Sequence, residues 1–356
     1  MRHGSVSAGT AHQAWMHRRR QLAVAGAVVA VPAVVATVVM AGISPASAVA
    51  AAALPAVPAA KASPTYSVAV GGSIQAAVDQ AAAAGGGTVT LASGTHNITS
   101  PVLLRSGVTL QGQGQSGSAL TTIHNSAGTN MIVMLDGRDG GLSNVIIRQL
   151  KVDCALSATQ RQYTSDPGKN YGAYITDNKA SNDRVLVDNV QITACAVGLH
   201  SKGTTNLTIR NSNIHHNGGW PTYFHNVYLR RVSKADIQNT IMSDSTGGNG
   251  INISYSDNIT VRNCTVSGNG FRGVRAAEST YIDVLANTVA NNEDAGIVIN
   301  SEANGVQHFR IHGNAVTGNR VGIATTSNSS DGEVWNNTVS GNSTNLDIKS
   351  ATTSIQ

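Results

Sequence analysis

Tyr174, His200, Tyr228, Asn252 and Arg275 follow one another at intervals of 23 to 28 residues, and Thr176, Lys202, Arg230 and Ser254 keep the same step two residues later. If the chain winds so that these intervals superpose, the two sets become adjacent columns on one face. Their types suit removal of a proton α to a carboxylate. That reaction needs cations to neutralise the carboxylate, a base for the proton and an acid for the leaving oxygen. Arg230, Arg275 and Lys202 supply cations; His200, Tyr228 and Tyr174 supply base and acid. On a uronate this is β-elimination, or C5 epimerisation if the proton returns from the other face. Arginine also grips carboxylates bidentately, which fits an acidic polymer.

Two insertions enter the same strand positions. One, 155–171, carries Tyr163, Asp166 and Lys169; the other, 218–225, carries Trp220, Tyr223, Phe224 and His225. Only 4% of residues are aromatic, so the second insertion is a concentrated cluster. Apolar ring faces suit stacking on sugars, and loops beside a rigid scaffold carry function. Lys169, Trp220, Tyr223, Phe224, His225 and Asn252 are therefore expected to bind substrate. Outward polar residues on a solenoid are also found merely solvated; the coincidence of the columns with both insertions favours the functional reading.

The element that must position these residues is a repeat. Gly-led strands begin at Gly172, Gly198, Gly250, Gly273, Gly296 and Gly322, with Asn226 in the same place between Gly198 and Gly250. Turn asparagines Asn217, Asn269, Asn292, Asn319 and Asn342 keep step. A period in the twenties means a solenoid. Leucine-rich spacing and a six-residue beat are both missing. The expected fold is all-β: a right-handed parallel β-helix, its asparagines forming a ladder between coils. A helix over 73–84, N-capped by Ser73 and apolar at Ile74, Ala77, Val78 and Ala81, would cover the N-terminal end. Strands are expected at Thr88–Leu91 and Val108–Leu110. Cys154 and Cys195 fall in neighbouring coils, one residue out of step and within disulfide reach. Cys264 aligns with Asn287 and Asn314 as a small buried filler.

The run Ser73-Ile74-Gln75-Ala76-Ala77-Val78-Asp79, then Gly86-Gly87-Thr88-Val89-Thr90-Leu91 and Ser106-Gly107-Val108-Thr109-Leu110-Gln111-Gly112, resembles the opening segment of pectate-lyase-like β-helix proteins. The repeats over 144–350 resemble that superfamily's coils. The resemblance implies the fold and an extracellular polysaccharide partner. It leaves the activity open, since this architecture hosts lyases, hydrolases, epimerases and non-catalytic fibres. Related lyases and epimerases use Arg, Lys, His and Tyr in the roles given above. A glycoside hydrolase and a non-catalytic carbohydrate-binding surface protein are the rival readings. The Asn-Thr-Asp, Asp-Asp and Gly-His-Gly motifs of polygalacturonase-like hydrolases are absent, although Asp177, Asp244, Glu278 or Glu302 leave a looser carboxylate pair open. Asp153 is a further carboxylate near the columns.

No cofactor is expected. Calcium is compatible with the superfamily, but the Asp-rich cluster that would support it is not evident. His215-His216 should point apart as strand neighbours, so no metal pair is expected there. Asp244 aligns with His216 and should form a cross-coil hydrogen bond. No zinc spacing, phosphate loop or dinucleotide fingerprint occurs.

At the N-terminus, Arg18-Arg19-Arg20, an apolar run from Leu22 to Ile43 and Pro45-Ala46-Ser47-Ala48 make a secretory signal over 1–48. A membrane anchor is the competing reading, weakened by Pro32 and the small-residue content. The Ala- and Pro-rich stretch 49–65 reads as a linker, and 66–356 as the β-helix domain. The chain has 24 Lys+Arg and 19 Asp+Glu, and four of the basic residues precede Ala48. The remainder is nearly neutral, which gives no case for nucleic acid or an anionic membrane. A secreted monomer is expected.

Overall fold

The computed structural model describes residues 63–127, 132–161, 171–178, 180–219, 224–300 and 303–356. The signal segment and nearly all of the linker lie outside the described residues. The linker reading overruns by one residue, because Thr65 already belongs to the strand Thr65–Val68.

The chain winds into a right-handed parallel β-helix of about eleven turns. Its strands form two parallel sheets of twenty and ten strands. The ten-stranded sheet contains all the Gly-led strands, among them Tyr171–Ile175, Val197–Lys202, Ile251–Ser254 and Val274–Ala277, together with the Asn226-led Val227–Arg230.

Each coil buries β-branched residues beneath the previous coil. Val187, Ile209, Ile237, Val261, Val284, Ile311 and Val334 are successive register partners, and all are buried. Burying each such side chain contributes about 1.5–3 kcal/mol. The neighbouring column, two residues earlier, runs through Ile282 to Phe309 and accommodates the larger ring because the partner in the next coil is Gly332, where a Cβ would sit 2.0 Å from Phe309 Cζ.

The expected ladder forms inside the turns. Asn269 Nδ2 donates to Asn292 Oδ1 at 2.8 Å, Asn292 to Asn319 at 2.9 Å, and Asn319 to Asn342 at 3.0 Å. These amides, together with a valine Cγ1 at 2.4 to 2.8 Å from where a Cβ would sit, explain the leading glycines. A Cβ on Gly250, Gly273, Gly296 or Gly322 would lie 2.9 Å from the neighbouring asparagine Nδ2. Glycine is required there by close approach rather than by backbone angle. A second ladder runs through Asn287, Asn314 and Asn337. Cys264 stands at its head, where its N–H donates to Asn287 Oδ1 at 2.8 Å. Burial pushes the Cys264 thiol up to about 11, which suits an inert filler.

The helix spans Ile74–Ala83, and Ser73 Oγ accepts the Ala76 N–H at 3.2 Å. Ile74, Ala77, Val78 and Ala81 are buried in the same core as Val68 and Val89. The strands Gly87–Leu91 and Val108–Gln111 fall where expected. Cys154 and Cys195 form a disulfide with Cα atoms 5.0 Å apart. The one-residue offset is real, since Asp153 pairs with Thr193.

His215 and His216 correct the sequence reading. Their rings meet edge-on at 4.9 Å, with the two Nδ1 atoms 2.6 Å apart. His216 takes φ +53, which breaks strand alternation and turns the second ring back onto the first. His216 is thereby engaged by His215, and the expected hydrogen bond to Asp244 does not form.

Candidate functional site

The two columns superpose as the spacing demands. Tyr174 pairs with His200, His200 with Tyr228, Tyr228 with Asn252, Asn252 with Arg275, and Arg275 with Val298. Lys202 pairs with Arg230, and Arg230 with Ser254. One residue escaped sequence reasoning: Asp136 pairs with Tyr174 at the head of the first column. Its strand, Leu135–Gly137, has no leading glycine, so the repeat pattern gave no signal for it.

Because coils are about 4.8 Å apart, planar side chains in register stack. The Tyr171 and Tyr174 rings lie 4.3 Å apart, Tyr174 and His200 5.3 Å, and His200 and Tyr228 4.6 Å with only 10° between planes. Arg138 continues the stack, with its guanidinium carbon 5.7 Å from the Tyr174 centroid. Arg138 Nε also donates to both oxygens of the buried Asp136, at 3.0 and 2.8 Å. A hollow of about 210 Å³ lined by Arg105, Asp136 and Arg138 opens at this end.

His200 is the exceptional group. It is 7% exposed, and neither ring nitrogen has a hydrogen-bond partner. Burial, helped by the charges of Arg230 and Lys202, pushes its pKa down to about 3. The imidazole is therefore neutral near pH 7, with an unoccupied lone pair and an unoccupied N–H.

The cations differ in how far they are committed. Lys202 Nζ lies 2.8 Å from Asp177 Oδ1, and its hydrogen bond holds that carboxyl below the usual range. Arg275 donates from Nη1 to Asn252 Oδ1 at 2.8 Å. Asn249 Nδ2 reaches the same oxygen at 3.3 Å. Arg230 lies 5.7 Å from the Tyr255 ring centroid, and its buried Nε has no acceptor.

Several outward positions are more covered than the strand period implies. His200, Asn252 and Arg275 are all buried, as are Thr176 and Ser254. Around Tyr174, His200 and Tyr228 an outer layer causes this. Phe224 is 2% exposed and packs with Val133, Tyr171, Ala196 and Val197, against which Tyr174 and Tyr228 lean. Phe224 is thus a packing residue rather than an exposed sugar platform. His225 is also buried: its Nδ1 accepts the Asn249 N–H at 3.0 Å, and its ring meets Tyr228 edge-on at 5.5 Å. Burial, then Arg275, brings its pKa to about 3. Lys169, Trp220 and Tyr223 lie outside the described residues, as do Tyr163, Asp166 and Glu302. Among the described residues, no group of three or more His, Cys, Asp and Glu is arranged to hold a metal.

Arg161 ties the two insertions together. Its Nε donates to Gly218 O at 3.2 Å, Nη2 to Thr246 Oγ1 at 3.0 Å, and Nη1 to Leu156 O at 3.1 Å.

The family model described as "right handed beta helix region" matches residues 171–344. No curated protein matches the chain by sequence. Among solved structures, a mutant tailspike protein of E. coli bacteriophage HK620 in complex with a pentasaccharide is similar at 16% identity. The match covers 74% of this chain and 52% of that one, with a TM-score of 0.57; the chain thus spans about half of the tailspike. A mutant of the periplasmic alginate epimerase AlgG is similar at 15% identity, over 76% of this chain and 74% of that one, with a TM-score of 0.52. Coil anatomy, family model and solved structures agree on the fold: the chain is a right-handed parallel β-helix, and its residues 171–344 match the family model of that region.

Proposed function

We propose that this protein is a secreted, monomeric polysaccharide-active enzyme that works on a uronic-acid polymer by β-elimination or C5 epimerisation. The observation that carries the reading is His200, a neutral imidazole sealed between two tyrosines with both nitrogens unspent. Arg230, with an unspent donor, stands one coil on and one column across.

The chemistry follows from these groups. The uronate carboxylate takes the Arg230 donors, and its charge opposes the desolvation that depresses His200. His200 removes the C5 proton, and the electron pair spreads onto the carboxylate, where the cations stabilise it. In elimination the pair then forms the C4–C5 double bond as the C4–O bond breaks. The phenol of Tyr174 or Tyr228 protonates the leaving oxygen. In epimerisation no C–O bond breaks, and the phenol returns a proton to the opposite face of C5.

A hydrolase reading requires a carboxylic acid that stays protonated. Here Asp177 is held ionised by Lys202. Similarity to an alginate epimerase and to a saccharide-bound tailspike supports the polysaccharide reading at the level of fold.

The test is incubation with alginate, pectate and other glycuronans. Ultraviolet absorbance of an unsaturated product supports elimination. A changed uronate composition without it supports epimerisation. New reducing ends with neither signal would establish a hydrolase, and binding without turnover across the panel would establish a non-catalytic binder. Either result overturns the proposal.

A further inference from the structure

The other sheet carries a groove that the His200 chemistry does not use. In the strands Ser233–Gln238, Asp257–Arg262, Thr280–Leu285, Gln307–His312 and Ser330–Trp335, the second residue adopts a left-handed conformation. These residues are Lys234, Asn258, Tyr281, His308 and Asp331; Asn206 precedes them in the adjacent coil. They line a trough together with the residues two places on. Concavities of about 420 and 550 Å³ lie along it and share Asn258. The trough thus runs along the solenoid axis over six coils, about 24 Å at ~4.8 Å per coil.

Its lining is preorganised. Asp236 receives Arg262 Nε and Nη2 at 2.9 and 2.8 Å. Asp283 Oδ2 receives Arg310 Nη2 at 2.6 Å, while its buried Oδ1 accepts no hydrogen bond and has His312 Nε2 at 3.4 Å. Asp331 and Glu333, exposed in the same trough, offer the acceptors that a sugar hydroxyl needs. With them stands Tyr281, 54% exposed in a chain poor in aromatics. His308 in the next coil stacks on the tyrosine at 4.8 Å, which leaves the opposite ring face toward Asn258, and both residues line the same concavity. Ring face and acceptor are the two elements of sugar recognition.

Charge selects the kind of chain. Asp236, Asp283, Asp331 and Glu333 line the trough against Lys234 and Arg310. Arg262 and Arg310 are already paired with Asp236 and Asp283, so Asp331 and Glu333 outweigh Lys234 and the trough disfavours a polyuronate. We infer that this trough binds a neutral linear polysaccharide along the solenoid axis, at a site separate from the His200 face.

The test is affinity electrophoresis of the protein through gels containing dextran, galactomannan or xyloglucan. Tyr281→Asn removes the ring while keeping a residue type that tolerates the left-handed angle, as Asn258 does one coil earlier. The expected result is retardation in at least one of these gels, weakened about ten-fold by Tyr281→Asn and unchanged by His200→Ala. Absence of retardation in all three gels overturns the inference. So does retardation that survives Tyr281→Asn. Retardation abolished by His200→Ala alone would assign neutral-glycan binding to the first face and equally overturn it. Failure of the uronate reading leaves every arm of this experiment interpretable.

Discussion

The Asn226 side chain donates to Asn269 Oδ1 at 3.0 Å, and so bridges the coil in which Ser245 interrupts the asparagine ladder. Asn217 in turn donates to Asn226 Oδ1, also at 3.0 Å. Where the turn lacks its asparagine, the strand position opposite no longer needs glycine, and an asparagine placed there restores the chain of amides.

This reciprocity makes Asn226→Ala a severe change. It removes four hydrogen bonds from a buried turn and leaves the Asn217 backbone N–H and one of its Nδ2 protons without an acceptor, while Ser243 O keeps the His216 N–H and Asn269 Oδ1 the Ser245 N–H. Each unsatisfied buried group costs about 1–3 kcal/mol. Urea unfolding should show a loss of several kcal/mol. A loss below about 1 kcal/mol would remove the ladder's role in stability.

His200→Ala and Arg230→Ala should each lower turnover on the responsive glycuronan at least about a hundred-fold, in keeping with loss of an acid/base or charge-stabilising group. Arg230→Lys should recover only part of it, because a lysine cannot grip a carboxylate with two parallel donors. Steady-state kinetics on all three variants, with circular dichroism to confirm the fold, checks this. Unchanged turnover in both alanine variants would move the site.

Acid should unfold the protein through its buried histidines. His200 and His225 have folded pKa values of about 3 against a reference of 6.5. Between these values the unfolded chain binds protons that the folded chain refuses, so stability rises with pH across that window and is lost as pH falls through it. The slope is about 1.4 kcal/mol per pH unit for each histidine. Chemical denaturation at pH 7, 6, 5 and 4 should show it. His200→Gln should roughly halve the dependence that the pair contributes.

Removing the disulfide with Cys154→Ser and Cys195→Ser together should cost about 4 kcal/mol by loop-closure entropy, for a separation of 41 residues. Urea unfolding of the double variant, compared with that of the disulfide-bonded native protein, checks the value, and the reduced native protein should match the variant.

The solenoid was legible because its physics repeats. Stacking demands a bare α-carbon opposite each turn amide, so Gly250, Gly273, Gly296 and Gly322 mark the coils in the sequence itself. The columns were legible for the same reason. Their burial was not. Strand alternation tells which residues leave the sheet, but not that Phe224 and Val133 build an apolar layer outside it. That layer encloses the stack of Tyr174, His200 and Tyr228 and leaves Phe224 unavailable to a sugar. The Asp136–Arg138 pair was missed because its coil lacks the glycine signature. The pairing of His215 with His216 was missed because a positive φ at a histidine is not written in strand periodicity.

The bridging amides also constrain how such a protein can be lengthened or shortened. From Asn217 to Asn342 each side-chain donor finds its acceptor farther along the stack. An insertion or deletion that is not a whole coil throws these amides out of alignment and leaves a donor and an acceptor unpaired. Grafting a segment from another solenoid succeeds only if it imports the amide together with the unsubstituted backbone facing it, so the unit of exchange is a matched pair rather than a stretch of strand.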